Sequence, residues 1–312
     1  MNRRDFIKSS ALTTAGLGLL GPGLLTSAEA AGAAVRLTIL HTNDMHSRID
    51  PFPAADRQWA DQGGMARRAA LVQSIRQAEP NVLLLDAGDI WQGTPYFNFF
   101  GGELEYKLMS QMGYDAATLG NHDFDNGLEG LLKQLPHAQF PFINANYDFS
   151  QTPLKGRFQP YKVFEKQGVR IGVFGVGIEM AGLVADKNYG AAKYLDPIAV
   201  AREQVQQLRG AERCDLVICL SHLGYKYESA KVDDHKLAAA VPGIDLIIGG
   251  HTHTFLDTPT VVEGGQDHRT LVNQVGWSGI KLGRIDYVFN RANKKLGVAA
   301  AGALSINASA LG

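Results

Sequence analysis

Cysteine is nearly missing from this chain. Two occur in 312 residues, Cys214 and Cys219. The run Cys214-Asp215-Leu216-Val217-Ile218-Cys219-Leu220 reads as a buried strand, on which positions five apart face opposite sides. A disulfide between the two is therefore not expected, and both thiols read as small apolar core residues. Too few thiols remain for a structural thiolate zinc site. Excess charge of either sign is missing too: 30 Lys and Arg stand against 31 Asp and Glu. That balance excludes a broad cationic face of the kind that binds nucleic acid without regard to sequence. Long apolar runs are also absent, so no stable membrane anchor is expected. No repeat, linker or low-complexity segment follows residue 34. What is left is an ordinary globular composition, 45% apolar and 20% charged, able to bury a real core.

The first thirty residues differ from the rest. Arg3 and Arg4 precede Asp5-Phe6-Ile7-Lys8, a weakly apolar stretch from Ala11 to Leu25, and the small-x-small pattern Ala28-Glu29-Ala30. A transmembrane helix is the competing reading. Fifteen residues at about 1.5 Å each fall short of the roughly 30 Å hydrocarbon core, and Gly21-Pro22-Gly23 would break the helix. The segment resembles a bacterial twin-arginine signal peptide. The resemblance implies recognition by the twin-arginine (Tat) export machinery, cleavage near Ala30, and delivery of a folded protein to the periplasm or beyond. No Cys follows the apolar run, so a lipid anchor has no attachment point.

Past the leader, short apolar runs alternate with helix-like stretches. Strands are expected at 35–40, 82–85, 116–119, 140–144, 216–220 and 244–248, and helices at 64–78, 103–112, 128–135, 198–208 and 236–240. Residues 161–164 and 169–176 flank Lys166-Gln167-Gly168 and read as a hairpin. Val261 and the segments 271–275, 280–289 and 296–301 read as consecutive antiparallel strands. Wholly apolar short strands imply sheets covered on both faces. The expected fold is α/β: two packed mixed β-sheets flanked by helices, in one domain spanning 31–312 with its core at 35–290.

Five apolar runs end in chemically active residues: Asn43-Asp44-Met45-His46, Asp86-Ala87-Gly88-Asp89, Gly120-Asn121-His122-Asp123, Ser221-His222, and Gly249-Gly250-His251-Thr252-His253. Ligands of open α/β sheets bind at strand carboxyl ends. One buried His is commonly a packing residue, but a cluster of Asp, Asn and His at five strand ends is not explained by packing. Zinc, manganese, iron and cobalt accept imidazole nitrogen and carboxylate oxygen together.

Asp-x-His, Gly-Asp, Gly-Asn-His-Asp, His and Gly-His-x-His, in that order, resemble the calcineurin-like metallophosphoesterases. The flanking text, Leu40-His41-Thr42-Asn43-Asp44-Met45-His46-Ser47, Gln92-Gly93-Thr94 and Asp123-Phe124-Asp125, is similar to the catalytic domain of bacterial 5′-nucleotidases. The resemblance implies a four-layer α/β/β/α sandwich and an exported phosphomonoesterase of nucleotide breakdown working with two divalent ions. It implies that Asp44, His46, Asp89 and His253 hold one ion. Asp89, Asn121, His222 and His251 would hold the other, with Asp89 bridging. A hydroxide between ions about 3.5–4 Å apart would attack phosphorus in line. His122, oriented by Asp125, would stabilise charge or protonate the leaving oxygen, and Asn121 and His122 would touch the phosphate.

Other residues near the motifs are not promoted. His41 reads as a support behind the ligands or a packing residue, and Asp86 and Asp123 read as hydrogen-bonding supports behind the ligands. His137, His235 and His268 read as surface residues. Trp91, Tyr96, Phe97, Phe99 and Phe100 read equally as entrance or core. The nucleotide-holding second domain of the two-domain 5′-nucleotidases has no counterpart among these motifs. Substrate choice therefore stays open. The expected substrate is a small phosphate ester such as a nucleotide. The alternatives are completion by a separate substrate-binding polypeptide, or cleavage of cyclic nucleotides or sulfur esters on the same metals. A non-enzymatic binding role is disfavoured, because no ligand position has been lost.

Overall fold

Apolar strands need cover on both faces, and the fold supplies it with a second sheet on one side and helices on the other. The computed structural model describes residues 34–265, 268–291 and 295–308. The expected leader segment with Arg3 and Arg4 lies outside these residues. From Val35 onward the chain forms one compact unit.

The first half runs β1 (Ala34–Thr42), α1 (Met65–Ala78), β2 (Val82–Asp86), α2 (Pro95–Phe100), α3 (Glu103–Met112), β3 (Ala116–Ala117), a 3-10 turn (His122–Phe124), α4 (Gly127–Gln134) and β4 (Tyr147–Asp148). The second half runs β5 (Tyr161–Lys166), β6 (Val169–Gly177), α5 (Asp186–Tyr189), β7 (Lys193–Tyr194), α6 (Pro197–Gln206), β8 (Leu216–His222), α7 (Asp234–Ala240) and β9 (Leu246–Gly249). Strands β10 (Thr260–Glu263), β11 (Arg269–Asn273), β12 (Lys281–Asn290) and β13 (Lys295–Ser305) follow. One sheet has the order β13-β12-β1-β2-β3, the other β10-β11-β9-β8-β6-β5, and β4 and β7 form a small ribbon. Strands β1, β2 and β3 are parallel, as are β6, β8, β9 and β11.

Side-chain alternation assigns each strand residue to a layer. Leu37 and Ile39 of β1, Leu83 and Leu85 of β2, and Ile218 and Leu220 of β8 fill the space between the sheets. Leu40, Val82 and Leu84 turn the other way, onto Val72 and Ile75 of α1 and Met109 of α3. Val217 and Cys219 of β8 meet Ala201 and Val205 of α6 and Leu237 of α7. The result is the expected α/β/β/α sandwich. Helix α6 starts where its sequence says it should. The Asp196 carboxylate accepts the N–H groups of Ile198 and Ala199, and Pro197 occupies the first turn.

Four local expectations are corrected. The C-terminal strands are not one antiparallel series: β11 runs parallel to β9 in the second sheet, while β12 and β13 pair in the first. A pairing partner outside the local segment decides this, which periodicity cannot report. Cys214 precedes β8 rather than lying on it, so the alternation argument does not reach it. Both thiols are free and sit in the same helix-side cluster. Residues 140–144 make only isolated bridges, Ala117 with Phe142 and Ile143 with Gln159. His137, His235 and His268 are half-buried, not surface residues. His235 stacks edge-on against Tyr225 at 4.6 Å, and His268 Nε2 lies 2.7 Å from the Ile244 carbonyl. Among the described residues no helix is long and apolar enough to cross a membrane.

Candidate active site

Strands β1, β2 and β3 of one sheet and β8 and β9 of the other deliver their C-terminal turns to one place. Backbone hydrogen bonds tie these turns together. The N–H of Asp44 donates to the Gly88 carbonyl (2.9 Å) and that of His46 to the Asp89 carbonyl (3.0 Å). The N–H of His251 donates to both carboxylate oxygens of Asp44, at 2.9 and 3.0 Å. The N–H of His122 donates to Asp89 Oδ1 at 2.8 Å. Gly120 is required by space: a Cβ there would overlap the Asp89 side chain.

Seven side chains meet here. Asp44, His46 and His253 bring one ligand atom each into a first group, and Asp89, His222 and His251 into a second. Asn121 joins the second group, its Oδ1 lying 2.8 Å from His251 Nδ1. Asp89 Oδ2 lies 3.1 Å from His222 Nε2 and 3.9 Å from His46 Nε2, so it faces both groups. His46 Nε2 and His253 Nε2 face each other at 2.9 Å. His46 Nδ1 is 3.1 Å from the Gln92 carbonyl and His222 Nδ1 is 2.7 Å from that of Ala87. A carbonyl beside Nδ1 selects the tautomer with the Nε2 lone pair turned inward.

The electrostatics favour cations. Asp44 and Asp89 are fully buried carboxylates with imidazoles as their ionic neighbours. Among the described residues no Lys or Arg pairs with either. Burial works against charge on Asp89, but His222 and His46 outweigh it and hold the carboxyl well below the usual range. Burial likewise opposes protonation of His222. Asp89 and Asp44 overcome this and lift it to about 10. His222 Nε2 is buried and yet makes no well-aligned hydrogen bond. Carboxylate oxygens and imidazole nitrogens turned inward, around two buried carboxylates with which no Lys or Arg among the described residues pairs, fit two divalent cations, whose binding would displace the proton held on His222.

His122 and Asp125 stand beside the groups. Their side chains are 37% and 28% exposed, and His122 Nδ1 lies 2.9 Å from Asp125 Oδ2. That contact, against the cost of partial burial, raises the imidazole above its ordinary value. The rings of His122 and His46 are 5.3 Å apart.

The residues read as supports take that position. Asp123 accepts the N–H groups of Asp89, Ile90 and Gly120, while Asp86 accepts the Gly88 N–H and the Thr42 hydroxyl. Burial lifts both carboxyls to about 7. His41 is buried against Asn273, 2.9 Å from its amide. Trp91 and Phe97 belong to the core, whereas Phe99 is exposed. No motif points to Trp277, which lies flat against His253 at 5.6 Å and 3°. Asn43 lies in the first motif without an assigned role there; its amide donates to Asp44 Oδ2 and to the Gly276 carbonyl, each at 2.6 Å. The second of those contacts spans 233 positions of sequence.

A two-sheet sandwich with two Asp/His groups at its strand ends defines the metallophosphoesterase class. The chain belongs to the calcineurin-like phosphoesterase family, whose model matches residues 37–255. It is 33% identical over 286 residues to the snake venom 5′-nucleotidase of Crotalus adamanteus, covering 83% of this chain and 46% of that protein. It is 35% identical to the 5′-nucleotidase of Vibrio cholerae, covering 81% and 49%. The crystal structure of a 5′-nucleotidase precursor from Thermus thermophilus superposes with a TM-score of 0.80 at 34% identity, covering 88% of this chain and 55% of that one. The chain thus spans about half the length of the curated relatives it matches.

Proposed function

We propose that this protein is a metal-dependent phosphomonoesterase of the 5′-nucleotidase type. Asp44, His46, Asp89 and His253 would hold one divalent ion, and Asp89, Asn121, His222 and His251 the other, with Asp89 shared. Zinc, manganese, iron and cobalt suit these donors. Bound ions of this kind supply positive charge for phosphoryl oxygens and acidify a water molecule. The observation that carries the reading is the inward convergence of donors from five strand ends on two buried carboxylates that no Lys or Arg among the described residues neutralises.

The chain's own groups supply the rest. Asp125 accepts the Nδ1 proton of His122, which leaves Nε2–H free to donate to a phosphoryl oxygen or to the departing oxygen. The raised basicity of His122 keeps that proton on the ring toward neutral pH. Asn121 offers Oδ1 to the metal group and its amide N–H to phosphate. The glycine-lined turns allow close approach of the substrate. A nucleotide is the proposed substrate class, by likeness to the named 5′-nucleotidases.

Steady-state rates on AMP, a sugar phosphate and an aryl phosphate, each across Zn, Mn, Fe and Co, test this reading. Turnover that survives complete removal of metal would end it. A marked AMP preference in this chain would place base recognition within residues 31–312 and count against completion by a separate polypeptide. Residues 1–30 are proposed as a twin-arginine leader. Changing Arg3 and Arg4 to Lys should stop export of a fused reporter, and unchanged export would reject the route.

A further inference from the structure

The four imidazoles of the site are not held alike. His46 and His222 each have a backbone carbonyl at Nδ1, and His251 has the Asn121 amide oxygen. His253 presents Nε2 to His46 (2.9 Å) and to Asp44 Oδ1 (3.5 Å). Its Nδ1 has no hydrogen-bond partner among the described residues. It is also the most open of the first group, with 39% of its side chain exposed against 8% for His46 and none for Asp44. A ring with one free nitrogen and solvent on one side can rotate out of position.

What holds it is an indole. The rings of His253 and Trp277 are parallel to within 3°, their centroids 5.6 Å apart, an offset stack. Trp277 is itself fixed. Phe52 meets it edge-on at 6.0 Å and 69°, and Arg48 covers the Phe52 ring at 4.2 Å. The turn carrying Trp277 is fastened to the first ligand strand. Val275 N–H donates to Asn43 Oδ1 (2.9 Å), Asn43 Nδ2 donates to the Gly276 carbonyl (2.6 Å), and Ser278 N–H donates to the Asp44 carbonyl (2.8 Å). The same turn is fastened to the His253 loop, since Gly276 N–H donates to the Thr254 carbonyl at 2.9 Å. Gly276 adopts a φ of 79°, and a Cβ there would overlap the Phe255 ring. The indole is thus placed by the backbone that places Asp44.

We infer that Trp277 is a positioning residue for the metal group of Asp44, His46 and His253, replacing with a ring face the hydrogen bond that its fellow histidines receive. The inference rests on the metal-holding role proposed above for that group. A ligated imidazole carries partial positive charge, which the electron-rich indole face attracts. Trp277 acts in this role through the His253 ring on which it stacks. Its loss acts through retention of one ion of the two and leaves the Asp89, His222 and His251 group unaffected.

The test uses the full mature chain loaded with Zn2+. Bound metal is counted through a stepped chelator series for the wild type, His253→Ala, Trp277→Leu and Trp277→Phe. Removal of such an outer support typically weakens metal affinity about 10–100-fold. Trp277→Leu should therefore release one ion at about tenfold less chelator. The second ion should leave at the wild-type point, and Trp277→Phe should recover most of the loss. A wild-type release curve for Trp277→Leu, with one ion lost from His253→Ala, overturns the inference and leaves the metal reading standing. Full retention of both ions by His253→Ala overturns the metal reading itself. Should Trp277→Leu not fold, the wild-type chain decides: the Trp277 indole 15N–1H signal, assigned by its absence in Trp277→Phe, should shift on Zn2+ titration. A signal unmoved by saturating Zn2+ rejects the stack.

Discussion

The sandwich interior and its polar end are made from the same strands and differ in nearly everything else. On β8, Ile218 and Leu220 are fully buried among aliphatic side chains of both sheets, and two positions further on His222 is equally buried among carboxylates and imidazoles. The strand bodies are in ordinary extended geometry. At the strand ends, five of the seven residues proposed to hold metal adopt positive φ: Asp44 (50°), His46 (49°), Asp89 (54°), His251 (73°) and His253 (52°). A non-glycine residue held there costs on the order of 1–3 kcal/mol. The interior therefore stabilises the fold, and the site draws on that stability to hold buried charge in strained turns.

The contrast can be broken at either end. The largest effect belongs to the site: His122→Ala should lower turnover about 10²–10⁴-fold while metal content and melting temperature stay near wild type. Rates per bound ion, with calorimetry alongside, check both halves of that statement. A strong loss of stability would move His122 into the structural region. The converse experiment is Ile218→Ala, which should cost about 2–5 kcal/mol in urea unfolding and leave the rate per folded molecule unchanged.

Metal removal asks whether bound ions offset the strain. An ion present at roughly a hundredfold over its dissociation constant stabilises by about 2.7 kcal/mol. Chelation should thus lower the melting temperature of the wild type and do little to Asp89→Asn. Equal effects on both would uncouple the ions from stability.

A smaller effect comes from His41, behind the site. Burial lowers its pKa to about 3, from 6.5. The unfolded chain takes up this proton as pH falls below 6.5 while the folded chain stays neutral down to about 3. Stability should therefore decline across that window, and His41→Gln should flatten the slope relative to wild type in unfolding midpoints at about pH 7 and pH 5. The smallest effect is expected at the surface. The exposed pair Arg269 and Glu263 should contribute no more than about 1 kcal/mol, and Arg269→Ala should disappear into the error of a thermal scan at moderate salt.

Much of this is legible along the chain, and the failures have a common cause. The helices at Glu103–Met112 and Met65–Ala78 and the strand Val82–Asp86 announce themselves through local periodicity and flanking breakers. Helix α2 at Pro95–Phe100 does not, since six residues give too little pattern. The C-terminal strands are recognisable as strands, but their neighbours are not. His235 and His268 look polar in sequence and are half-buried by Tyr225 and by the Ile244 carbonyl. In each of these pairings the deciding partner lies outside the local pattern.

The sequence alone determined the layer architecture and the identity of the residues gathered at the strand ends. Apolar alternation and strand-terminating Asp, Asn and His are local properties, written one residue at a time. The division into two sets sharing Asp89 came from the family resemblance, and only the tertiary structure decided the distances within each group, the Asn43 link from Asp44 to the Gly276 turn and the stacking of His253 on Trp277. Those relations depend on contacts between segments that the chain separates by tens or hundreds of positions, and no local pattern encodes them.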